Sequence, residues 1–144
     1  MTDQKLSIVH AEDSDFVADG LRKCFEYRDL GIKAATGGDF HAHIIRAVDQ
    51  EEDGIGLHRH NEIEFQMVYI LQGWMRFWYE GEGEVTAKKG SCILQPPAVK
   101  HDVLEWSDDL ELLEITSRPT SRLKRFRPQN NDTEILKDGK TTHA

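Results

Sequence analysis

At 144 residues, with 38% hydrophobic and 31% charged side chains, the chain has room for one soluble globular domain built on a single core. No stretch approaches the ~20 apolar residues of a membrane helix, and no apolar run follows Met1-Thr2-Asp3-Gln4-Lys5, so the reading is a cytoplasmic protein with neither membrane span nor signal peptide. The net charge of −8 makes a poor nucleic-acid binder, because phosphate contacts need Lys and Arg, and leaves only the basic run Ser121–Pro128 able to touch RNA or DNA.

Residues 1–20 are polar and read as loosely held, and Leu21–Asp29 mixes apolar and charged residues without helical spacing. Gly31, Gly37 and Gly38 punctuate, and His41–Ala47 then predicts a strand. Met67–Leu71 is a β-rich run closed by Gly73. Trp74–Tyr79 ends in Glu80-Gly81-Glu82-Gly83, and Val85–Ala87 leads into Lys88-Lys89-Gly90. Cys92–Leu94 meets Gln95-Pro96-Pro97, and Asp102–Trp106 and Leu110–Thr116 flank Ser107-Asp108-Asp109. Many short strands at close spacing predict an all-β barrel or sandwich. The chain divides into an N-terminal segment 1–40 with room for an extra strand, a barrel 41–116 and an extended arm 117–144. That arm carries seven Lys/Arg against three acids, which leaves −12 on residues 1–116. Its basic run Ser121–Pro128 is read as lying on the acidic body, or on a partner subunit's. Cys24 and Cys92, far apart and in no metal-like spacing, read as buried thiols in a reducing compartment, a disulfide between them being the lesser alternative.

Chemistry concentrates in three histidines. His58 and His60 are two apart on an expected strand, so they leave the same face with Cα atoms roughly 6.6–6.8 Å apart, a gap two imidazoles can converge across. A third ligand must come from elsewhere, and His101, which follows the Pro96-Pro97 turn and starts another strand, is the candidate. His41 and His43 also alternate on a strand and are read as a structural or interface pair. Phe65, Trp74, Phe77, Trp78 and Tyr79 alternate across faces, some filling the barrel. Tyr69 and Arg76 stay open between substrate binding and structure.

Gly54-Ile55-Gly56-Leu57-His58-Arg59-His60 followed by Gln66–Gly73 resembles the first motif of the cupins, G-x5-H-x-H-x3/4-E-x6-G. Gly90–His101, with Pro96 six residues after Gly90, resembles the second, G-x5-P-x-G-x2-H-x3-N. The likeness extends over His41–Thr116 and points to the small, single-domain conserved-barrel (RmlC-like) type. It implies a double-stranded β-helix, or jelly-roll, fold and a homodimer. It also implies one divalent transition ion (Fe, Ni, Mn, Zn or Cu) on His58, His60 and His101. The sequence departs from the pattern at the opening glycine, where Glu52 stands and the glycines are Gly54 and Gly56, at Ala98, at Glu105 in the closing Asn position, and at the acidic ligand. Counting back from Gly73 places Gln66 there; counting forward from His60 places Glu64. Gln66 shares an alternating face with Val68 and Ile70 in a strand that must keep register, whereas loops absorb insertions, so Gln66 is taken as the fourth ligand and Glu64 as the alternative.

Neutral histidines with an amide leave the ion's charge uncompensated, which favours an anionic ligand in the barrel, such as a carboxylate or enolate. The resemblance thus implies a metal-dependent enzyme, dioxygenase-like or a lyase or isomerase, acting on a small organic molecule. Glu64 or Glu105 would serve as general base where it points inward. The alternative is a non-catalytic module in which the ion anchors a small molecule.

Overall fold

The computed structural model describes residues 3–18, 23–49, 58–60, 63–118 and 133–135, with side chains everywhere except 58–60 and 133–135. Within these residues the alternating runs become strands: β1 (Phe25–Asp29), β2 (Phe40–Ala47), β3 (His58–His60), β4 (Phe65–Gln72) and β5 (Trp74–Tyr79). They continue as β6 (Gly83–Lys88), β7 (Cys92–Leu94), β8 (His101–Trp106), β9 (Glu111–Ser117) and β10 (Thr133–Ile135). One turn of helix, α1 (Ile32–Ala35), joins β1 to β2. No helix among the described residues is long and apolar enough to cross a membrane.

The strands form two five-stranded antiparallel sheets, in the order β1-β2-β9-β4-β7 and β10-β3-β8-β5-β6. Their inner faces oppose each other as a jelly-roll. Period-two alternation decides which residues meet there: Val68 and Ile70 from β4, Met75 and Phe77 from β5, Val103 and Trp106 from β8, and Leu112 from β9. Trp106 closes the apolar end, its ring 4.9 Å from that of Phe25 and its indole N–H donating to the Asp49 carbonyl. The β4–β5 hairpin needs glycine at residue 73. The backbone there has φ +74°, and a Cβ would collide with Ser107 Oγ.

Several expectations change. Residues 3–18 are held rather than loose: Lys5 N–H donates to Ala35, Val17 and Tyr27 exchange two backbone bonds of 2.9 Å, and Arg46 stacks 4.0 Å over Phe16. The additional strand β1 pairs with β2 at the edge of the first sheet. Cys24 is buried but Cys92 is exposed, because β7 is an edge strand that turns Cys92 outward; no disulfide joins them. In the C-terminal arm, β10 adds an edge strand beside β3. The basic run 121–128 lies outside the described residues.

Candidate active site in the barrel

Cross-strand register stacks the inner face of the first sheet in tiers. Ile45, Leu112 and Ile70 align across β2, β9 and β4; His43, Glu114 and Val68 form the next row; His41, Thr116 and Gln66 form the last. On the opposite sheet Phe77 aligns with Val103, and Tyr79 with His101. The backbone of His58 is in turn the register partner of His101. Gln95 ties the two walls together: its backbone N–H donates to the Gln66 carbonyl, and its Nε2 donates to the Tyr79 hydroxyl at 2.6 Å. The barrel is thus dry and apolar at one end and polar at the other.

The polar end is hydrogen-bonded across three strands. Gln66 Nε2 donates to Glu114 Oε2 at 2.9 Å. His43 Nε2 lies 2.7 Å from Glu114 Oε1, and His41 Nε2 lies 3.1 Å from His43 Nδ1. Two buried atoms have no hydrogen-bond partner among the described residues, Gln66 Oε1 and His41 Nδ1. Leaving a buried polar atom unpaired costs about 1–3 kcal/mol, and a fold stable by only about 5–15 kcal/mol seldom carries two without a use. His101, 3% exposed, has its Nδ1 3.3 Å from the Val99 carbonyl. With the proton on Nδ1, the lone pair sits on Nε2, as metal ligation requires.

Burial pushes the Tyr79 hydroxyl well above the ordinary phenol range, opposed by the bond from Gln95. His41 is held below the ordinary histidine value of 6.5, first by burial and then by His43 and Lys33, with Asp29 and Glu114 opposing. The unfolded chain therefore binds a proton at His41 more readily than the folded one. His41's contribution to stability is full above about pH 6.5 and is lost as pH falls from there through the folded value. His41→Asn is expected to flatten that part of the stability curve, read as urea midpoints between about pH 7.5 and about pH 5. An unchanged slope would remove His41 as the titrating group.

Of the residues singled out from sequence, Gln66 is inward and 5% exposed, and His101 opens β8 inside the barrel. Glu64 sits half-buried just before β4, its backbone N–H donating to the Ser117 carbonyl. Glu105 is not inward. A bulge lets Arg76 pair with Glu105 and Phe77 with Val103, so Glu105 stays on the outer face, 2.6 Å from the Arg76 guanidinium. Arg76, bonded to Glu105 and Glu84, is structural, and Tyr69 also faces out. Among the described residues no three His, Cys, Asp or Glu side chains are placed to share an ion; the side chains of His58 and His60 lie outside that set. Sequence reading missed Glu114, Gln95 and the inward role of His41 and His43. The two-residue step from His43 to the apolar Ile45 was the signal for that pair.

A jelly-roll with a polar end inside its barrel is the architecture of the cupins, and the chain belongs to that family: the cupin-domain family model matches residues 45–116. Among curated proteins none matches the sequence. Solved structures share the fold. KdgF from Halomonas sp. is 17% identical with a TM-score of 0.61, over 83% of this chain and 99% of that one. The Streptomyces nucleoside dehydratase Pac13 is 12% identical with a TM-score of 0.59, over 92% of each chain. The polyketide cyclase RemF from Streptomyces resistomycificus is 21% identical with a TM-score of 0.59, over 80% of this chain and 82% of that one. At these identities the likeness is one of fold.

Proposed function

We propose that this cupin is a mononuclear metal enzyme, dioxygenase-like or a lyase or isomerase, acting on a small anionic organic molecule inside the barrel. His58, His60, His101 and Gln66 would hold a divalent transition ion, with Glu64 at the rim as the alternative to Gln66. One observation carries this reading. The buried Gln66 Oε1 lacks a partner among the described residues, at the end of the barrel where His101 and the backbone of His58 are register partners. Imidazole nitrogens and an amide oxygen suit Fe, Ni, Mn, Zn and Cu without selecting one.

A bound ion supplies a Lewis acid that polarises a ligand oxygen and favours an anion. The chain's own side chains do the rest. Glu114 holds the amide of Gln66 by its Nε2, which orients Oε1. Val99 holds His101 in one tautomer. Tyr79, accepting from Gln95, keeps its own O–H to donate to a substrate oxygen. Val68, Phe77 and Val103 beneath exclude water.

Two further points belong to the proposal. Cys24 and Cys92, not joined in a disulfide, suit a reducing cytoplasm. The outer face of the first sheet exposes Phe65, Tyr69, Leu71 and Leu94, which suits burial against a second copy in a homodimer.

Metal content tests the site. Elemental mass spectrometry of the untagged protein is expected to find close to one transition ion per chain, absent from a His58→Ala/His101→Ala variant. Iron, nickel, manganese or copper directs the search to oxidative chemistry, and zinc to a lyase, an isomerase or a metal-anchored binder. No ion in either protein after reloading rejects the metal site.

A further inference from the structure

Beyond its bond from Gln66, Glu114 on β9 begins a chain of groups at the polar end that runs through His43 to His41 on β2, two histidines the metal reading does not use. With Glu114 ionised and His43 neutral, hydrogen-bond direction along it follows from Glu114 outward. Both carboxylate oxygens accept, one from Gln66 Nε2–H and the other from His43 Nε2. The acceptor-only form of a carboxylate is the ionised one. A neutral His43 with its proton on Nε2 has a bare Nδ1, which accepts from His41 Nε2–H at 3.1 Å. His41, with its proton committed to Nε2, is left with a lone pair on Nδ1. That is the nitrogen found buried and unpartnered among the described residues.

We propose that Glu114, His43 and His41 form a proton relay whose terminal atom, His41 Nδ1, takes a proton from an acidic O–H or C–H of the molecule in the barrel. The step balances. The substrate bond to hydrogen breaks and its proton joins His41 Nδ1, while the bonding pair stays on the substrate as an anion. The Nε2–H proton of His41 passes to His43 Nδ1. The positive charge therefore rests on His43, against a Glu114 carboxylate that stays ionised at 2.7 Å, rather than on His41. Reversing the two transfers returns the proton to a product. His43 and Glu114 are positioning residues; His41 is the group that meets the substrate.

The charges around His41 fit this division. Burial, His43 and Lys33 of α1 disfavour a cation on His41, with Asp29 of β1, the register partner of His43, and Glu114 opposing. Thr116 lies between His41 and Gln66 in the same row, so the two unpartnered acceptors flank one small stretch of the interior. On the other sheet Tyr79, tied to the Gln66 strand through Gln95, keeps its O–H as a donor. A molecule carrying both an acidic proton and an oxygen acceptor, such as a hydroxy acid or a carbonyl compound with an acidic α-carbon, complements that arrangement. The relay stands on the first sheet alone and does not require an ion at Gln66.

Long-range proton–nitrogen correlation spectra of the imidazoles in the intact protein read the tautomers directly. His41 and His43 are both expected as the Nε2–H form at neutral pH, with His41 Nδ1 unprotonated. Glu114→Gln, which keeps the shape but can donate or accept, is expected to give mixed tautomers at both. Should that variant fail to fold, His43→Phe removes the acceptor of His41 and is expected to mix the His41 tautomers alone. A proton on His41 Nδ1 in the wild type, or tautomers at His41 indifferent to both substitutions, would overturn the relay. So would added Zn²⁺ shifting His41 Nδ1 as a ligated nitrogen. If Zn²⁺ does not bind but the tautomers are as stated, the relay stands and the metal reading falls.

Discussion

Glu114→Leu is expected to destabilise the protein by about 3–6 kcal/mol, because two donors that now bond a carboxylate would remain in the interior, each such bond being worth about 1.5–3 kcal/mol. The donors are Gln66 Nε2 and His43 Nε2. Leucine fits the volume but answers neither, and removing one partner of a half-buried charged network is costlier than replacing the whole set. A second effect follows for any ion at Gln66. Without Glu114 the amide loses the bond that orients its oxygen, and losing such a supporting contact weakens metal affinity by roughly 10–100-fold. Urea denaturation checks the first effect, and competition for Zn²⁺ with a chelator checks the second. A loss below about 1 kcal/mol would mean that these contacts are already wet.

Phe77→Ala is expected to cost about 3–5 kcal/mol, the range for emptying a buried aromatic site, and to lower the thermal midpoint by roughly 10–20 °C. Phe77 is 2% exposed, at the centre of the apolar tiers beside Val103. Phe65→Ala, the same change on the outer face, is expected to stay within about 0.5 kcal/mol in the monomer, since surface substitutions away from special features rarely exceed that. The contrast tests the assignment of faces as well as the core. If Phe65→Ala costs as much as Phe77→Ala, the outer face of the first sheet is itself buried, and a second copy is the natural cover.

Much of the fold was legible because alternation is a direct imprint of the pleat. Trp74–Tyr79 and Cys92–Leu94 end in the structure where their turn signals fall in the sequence. Gln66 was placed inward by the same logic, and its burial between strands agrees. What failed, failed for local reasons. In β1, Phe25 and Tyr27 alternate with Glu26 and Arg28, but the charged residues before them obscured the period. The bulge beside Glu105 shifts parity by one residue, which no composition announces. His41 and His43 occupy a strand whose two faces are both covered, Ala42 and Ile44 on one side and the barrel interior on the other, so polarity alone could not say which way they look. Glu114 was hidden by its neighbours Leu113 and Ile115, which are the more apolar pair.

That last strand carries a consequence for how the chain reaches its native state. In β9 the residues that face the barrel are Leu112, Glu114 and Thr116, while Leu113 and Ile115 face away. A slip of one residue would exchange the two sets and produce a greasier interior. Local preference and global arrangement therefore disagree here, which is frustration in the energy-landscape sense. The native register must be selected by pairing with β2 and β4 on either side and by the tight connection through Ser107 and Leu110. A one-residue slip in this strand is thus the misregistered state expected to slow refolding, because a carboxylate is stationed where a hydrophobic residue would fold more easily.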